Sequence, residues 1–149
     1  MSDVYFEDLT TDYRTSIGPY VLGREEIIEF ASRWDPYPFH TDESTARESI
    51  FGGLTGSSSQ PFALTGLIYA RGEEEIALVA NLGSEDLRFP SPLRPGDEIS
   101  LASECLARRP SEPRRGIGIV TSVSRLTNQR QETVMEMKSS FMVRRRQGT

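Results

Sequence analysis

An acid and an imidazole stand five positions apart in the segment Asp35-Pro36-Tyr37-Pro38-Phe39-His40, and His40 is the only histidine in the chain. Imidazole titrates near neutrality, and a carboxylate beside it can orient the ring or share the work, so the two together are the minimum equipment for moving a proton to and from water. Pro36 and Pro38 fix their own φ and push Asp35 and Tyr37 away from the helical region. A stiff link of this kind lowers the entropy lost in holding two side chains in one geometry. Two readings fit this spacing: a catalytic pair, or a hydrogen-bonded structural histidine preceded by an aspartate that opens a turn.

The elements around the pair must position it. From Gly23 the pattern is helical, with Ile27, Ile28, Ala31 and Trp34 on one face and Phe30 beside it. Glu25 and Glu26 suit the positive end of that helix, which stops near Trp34 and delivers Asp35. Residues 1–19 read as irregular, and Tyr20-Val21-Leu22 reads as a short strand. After His40, Asp42 is placed to cap a short helix over residues 43–49, which Phe51-Gly52-Gly53 ends.

Residues 57–71 predict a second long helix. Ser57, Ser58 and Ser59 offer N-caps, Pro61 falls in the first turn, and Phe62-Ala63-Leu64-Thr65-Gly66-Leu67-Ile68-Tyr69-Ala70 is apolar nearly all round. Such a helix is expected to be buried on most sides, with Gly66 marking the close approach of a sheet or another backbone. Its first free amides form an anion site suited to a developing oxyanion; the serines are equally well explained as caps.

In the second half the period changes. Residues 76–82 and 87–89 read as strand pieces, and Pro90-Ser91-Pro92-Leu93-Arg94-Pro95-Gly96-Asp97 as a rigid connection. Ile99, Leu101, Ser103 and Cys105 alternate on one face of the next strand. Residues 108–115 read as a loop or hairpin tip. A strand over 116–127, a turn at Asn128-Gln129-Arg130-Gln131 and a strand over 133–143, with Met135, Met137, Phe141 and Val143 on one side, complete an antiparallel meander. A sheet with a helix laid across it is the expected α+β architecture.

Composition excludes several classes. The 149 residues fit one globular domain, and a net charge of -5 argues against a nucleic-acid partner, which needs a basic surface. No apolar run approaches the span of a bilayer, and the acidic, polar N-terminus does not read as a signal peptide, so a cytoplasmic location is expected. With Cys105 alone and one histidine, neither an intrachain disulfide nor a cysteine- or histidine-built metal centre is expected.

Taken in order, Asp-Pro-x-Pro-Phe-His-x-Asp at 35–42, Phe-Gly-Gly-Leu at 51–54, Leu-Arg-Phe at 87–89, Leu-Arg-Pro-Gly-Asp at 93–97 and a final hairpin over 128–146 resemble the MaoC-like dehydratases. The resemblance spans residues 21–146 and implies a single hotdog domain over 1–149, a curved antiparallel sheet wrapped around a central helix, working as a homodimer. It implies hydration of a trans-2-enoyl-CoA or dehydration of a 3-hydroxyacyl-CoA, with no cofactor beyond the coenzyme A thioester that is the substrate. Asp35 and His40 would be the catalytic pair, and the backbone N–H of Ser58 would serve the oxyanion, where many relatives carry glycine. Ser57, Tyr37 and Phe39 would contact substrate. A hotdog thioesterase is a second reading, against which the lack of a carboxylate in 62–70 counts; a non-catalytic acyl-CoA-binding subunit is a third. Sixteen of the seventeen basic residues are arginines, and Arg94, Arg108, Arg109, Arg114, Arg115 and residues 144–146 are candidates for the phosphates of coenzyme A.

Overall fold

The computed structural model describes residues 2–146. Five strands form one sheet: β1 (Arg14–Val21), β2 (Leu78–Arg88), β3 (Glu98–Pro110), β4 (Ile117–Thr127) and β5 (Thr133–Arg144), in the order β1-β3-β4-β5-β2 with every pair antiparallel. Four helices lie in the first half, α1 (Arg24–Trp34), α2 (Pro38–Thr41), α3 (Glu43–Arg47) and α4 (Ser59–Ala70). This is the α+β hotdog arrangement, with α4 laid against the sheet.

Alternation drives the meander. Ile99 and Leu101 of β3, Leu126 of β4 and Met135 and Met137 of β5 turn to the same side and bury against Leu64 and Ile68 of α4. Each such side chain contributes on the order of 2 kcal/mol when fully removed from water. Farther along the same strands, Cys105, Val120 and Val143 form a second cluster under Val4, Phe6 and Leu9 of the N-terminal segment. That segment is clasped from the other end of the chain. Arg108 donates to the Phe6 carbonyl at 2.7 Å, Arg145 pairs with Glu7, and Arg146 pairs with Asp8 at 2.6 Å.

Several expectations are corrected. Residues 14–21 form a full strand rather than an irregular lead-in, because a break in register between Ile17 and Tyr20, around Gly18 and Pro19, hides the alternation. The two strand pieces at 76–82 and 87–89 are one strand, interrupted by irregular register at three places. The expected loop at 108–115 is strand as far as Pro110, since Arg108, Arg109 and Pro110 still pair with β4. Trp34 ends α1 on the open side, 65% exposed. The central helix is buried on one side only within the chain: Phe62 is 47% exposed and Leu67 38%, and a Cβ on Gly66 would meet nothing within 4 Å. An apolar sequence shows that a surface avoids water, not what covers it.

No helix among the described residues is long and apolar enough to cross a membrane.

Candidate active site

Asp35 is the C-cap of α1. Its N–H bonds the Ala31 carbonyl at 2.8 Å, and Pro36 prevents the helix from continuing. The chain then turns: the Tyr37 N–H bonds the Asp35 carbonyl, Pro38 opens α2, and the His40 N–H bonds the Tyr37 carbonyl at 2.9 Å. The prolines thus do what their local rules dictate, and the compact turn folds His40 back beneath Asp35. The side-chain atoms His40 Nε2 and Asp35 Oδ2 stand 3.7 Å apart.

His40 is buried, and its Nδ1 lies 2.7 Å from the Thr55 carbonyl. A carbonyl only accepts, so Nδ1 carries a proton, and Nε2 is the ring nitrogen that faces the carboxylate. At 3.7 Å the two groups are too far apart for a direct hydrogen bond and close enough to share a solvent molecule. The Asp35 side chain is 24% exposed, and no hydrogen bond from a described residue reaches its Oδ1. Asp35 Oδ2 is held from behind by Ser57, whose hydroxyl donates to it at 2.6 Å and accepts the Ser59 N–H at 3.2 Å.

Ser57 therefore both caps α4 and fixes the carboxylate. It was expected to contact substrate; it is fully buried, and its hydroxyl is engaged on both sides, by Asp35 and by the Ser59 N–H. Ser58, next along, has an exposed side chain at the start of α4, and its N–H bonds no described residue. Tyr37 and Phe39 stack with ring centres 5.7 Å apart, and the Phe39 ring lies 4.4 Å from that of His40. Tyr37 is 62% exposed at the rim. The structure thus brings Asp35, His40, Ser57 and Ser58 together from three elements, with Phe39 beside them and Tyr37 at the edge.

Sequence reasoning missed Thr55, whose carbonyl selects the histidine tautomer. A backbone acceptor leaves no signature in residue type. Of the arginines considered for phosphate contacts, Arg108, Arg145 and Arg146 are engaged by the N-terminal segment, and Arg94 donates to the Phe51 carbonyl at 2.9 Å. Among the described residues no group of three or more His, Cys, Asp or Glu could hold a metal ion.

Comparison with known proteins fits this geometry. The family model described as "MaoC like domain" matches residues 6–127. A crystal structure of a MaoC-like dehydratase from Rhodospirillum rubrum is 35% identical, with 97% of this chain and 99% of that one covered and a TM-score of 0.87. The uncharacterized protein YdeM of Bacillus subtilis is 27% identical over 83% of this chain and 87% of its own length. The R-hydratase PhaJ1 of Pseudomonas aeruginosa shares the fold, with a TM-score of 0.79 at 20% identity, covering 96% of this chain and 87% of that one.

Proposed function

This chain belongs to the MaoC-like domain family, and from that premise we propose that it is an acyl-CoA hydratase or dehydratase, adding water to a trans-2-enoyl-CoA or removing it from a 3-hydroxyacyl-CoA. The observation that carries the reading is the pair of Asp35 and His40, 3.7 Å apart, beside an unengaged amide at the start of α4. Water held between Asp35 and Nε2 of His40 attacks the β-carbon. Its oxygen becomes the β-hydroxyl, one proton passes to the pair, and a proton from the pair is delivered to the α-carbon as the double bond is consumed. Negative charge builds on the thioester oxygen during attack, where the Ser58 N–H is placed to meet it. The reverse path removes water. The Ser58 side chain leaves the backbone donor intact and narrows the space beside it. Phe39 and Tyr37 flank the acyl group in this reading.

A homodimer is part of the proposal. Strand β2 is a sheet edge without proline, exposed along nearly its whole length, and it presents Leu78, Val79, Leu82 and Leu87, while α4 leaves Phe62 and Leu67 exposed. Pairing with a second copy would cover the β2 edge. Light scattering should give twice the chain mass, and Leu82→Glu should shift it toward one chain.

The test of function is to mix the protein with short and medium trans-2-enoyl-CoA thioesters and follow the conjugated absorbance together with free thiol. Loss of absorbance without thiol release is expected. Thiol release would make the protein a thioesterase, for which α4 has no carboxylate to activate water; binding with neither change would make it a non-catalytic acyl-CoA-binding protein.

A further inference from the structure

We propose that Arg94 is a positioning residue, holding in register the loop on which three parts of the site depend. Residues 51–58 carry the Thr55 carbonyl that accepts the His40 Nδ1–H bond, the Ser57 hydroxyl that holds Asp35, and the Ser58 amide. No regular element contains this loop. It is braced from the segment before β3 at two points: the Gly56 N–H bonds the Leu93 carbonyl at 2.9 Å, and Arg94 Nη2 donates to the Phe51 carbonyl at 2.9 Å. The fit around the first point is close. A Cβ on Gly56 would lie 3.0 Å from the Gln60 side-chain oxygen and 3.1 Å from Cβ of Leu93, tighter than ordinary contact, so a side chain there would require those neighbours to give way.

The brace is itself anchored. Asp97 is buried, and its carboxylate accepts the Arg94 N–H at 2.9 Å and the Gln129 amide at 3.1 Å. Gly96, at φ +85°, makes the tight turn that brings Asp97 back under Arg94. Leu-Arg-Pro-Gly-Asp is thereby a clamp: Asp97 fixes the backbone of Arg94, and the Arg94 guanidinium fixes the far end of the site loop. Arg94 contacts neither Asp35 nor His40, so its effect reaches the chemistry through Thr55 and Ser57.

His40 is the only histidine, so its imidazole signals can be read without assignment by mutation. The experiment compares wild type, Arg94→Ala, Arg94→Gln and Arg94→Lys by nitrogen-edited NMR of that ring and by hydration kinetics. The expected result in wild type is a single ring signal set with a slowly exchanging Nδ1 proton. In Arg94→Ala and Arg94→Gln that proton signal is broadened or lost, and kcat falls about 10-fold while KM stays within about twofold, the pattern of a misplaced rather than a missing group. Added guanidinium restores part of the loss in Arg94→Ala, and Arg94→Lys, which keeps one donor, falls less. Should Arg94→Ala fail to fold, Arg94→Gln carries the same comparison. Unchanged His40 signals and kcat would overturn the proposal. So would a raised KM at unchanged kcat, which would make Arg94 a direct contact for the coenzyme A phosphates. Only the kinetic arm rests on the hydratase reading: a wild type that hydrates nothing would refute that reading, while the His40 spectra would still decide the role of Arg94.

Discussion

The two ends of α4 differ in what they leave unpaired. At its C-terminal end lies a cavity of about 690 Å³ lined by Tyr13, Ile17, Tyr20, Tyr69 and Arg71 among others. Three of its polar side chains are engaged: Tyr13 donates to Glu74 at 2.9 Å, Tyr20 donates at 2.6 Å to Glu26 behind it, and the Arg71 guanidinium lies 4.9 Å from the centre of the Tyr20 ring. At the N-terminal end Asp35 Oδ1, His40 Nε2 and the Ser58 N–H are held in place by neighbours and bond no described residue, while their companion atoms are fixed. Held but unsatisfied groups, rather than the size of a hollow, mark the end of the helix where chemistry is expected.

The largest effect that would break this comparison comes from the pair itself. Asp35→Asn and His40→Ala should each lower the hydration rate by about 100-fold or more, the usual scale for a general acid-base group, with the fold retained by circular dichroism. Either variant at full activity would remove the distinction between the two ends. Ser57→Ala should cost less, about 10-fold in kcat, because the carboxylate stays and only its orientation loosens; Ser57→Thr, which keeps a hydroxyl, should recover most of the rate. At the opposite end, Tyr13→Phe should leave the hydration rate within about twofold and cost no more than about 1 kcal/mol in a denaturant titration.

A smaller effect concerns pH. Burial and the Glu74 carboxylate push the Tyr13 phenol well above its ordinary value of 10.0. A raised folded value means that this contribution is present below the unfolded value and is lost as pH rises through the folded one, so wild-type stability should decline above about pH 10 more steeply than that of Tyr13→Phe. At the acid end, the Arg146 guanidinium holds Asp8 below its ordinary 3.8. That contribution is present above the unfolded value and disappears as pH falls below it, so Asp8→Asn should flatten the acid side of the stability profile slightly, as expected of an exposed pair.

What the sequence discloses follows from the range of the physical rule involved. Asp35 and His40 were legible because Pro36 and Pro38 act on their own residue and the one before. The cap of α3 was legible for the same reason, and Asp42 accepts the Thr45 N–H as its position suggests. The meander was legible because Ile99, Leu101, Met135 and Met137 alternate without interruption. Strand β1 was hidden by its irregular register at Ile17 and Tyr20. The Thr55 carbonyl lies 15 residues from His40, and the Arg94 clamp on loop 51–58 joins positions 43 residues apart, so both depend on segments meeting in space, which no local pattern reports. The exposed face of α4 was misjudged because periodicity measures what a helix avoids, not what covers it.

The central claim is that Asp35 and His40 activate one solvent molecule and deliver it to carbon. Its most direct test is turnover of a short trans-2-enoyl-CoA in water enriched in heavy oxygen, with mass analysis of the product from wild type, Asp35→Asn and His40→Ala. The account predicts an intact thioester carrying one labelled β-hydroxyl oxygen from wild type and almost none from the variants. Label in a released carboxylate, or equal labelling by wild type and Asp35→Asn, would contradict it.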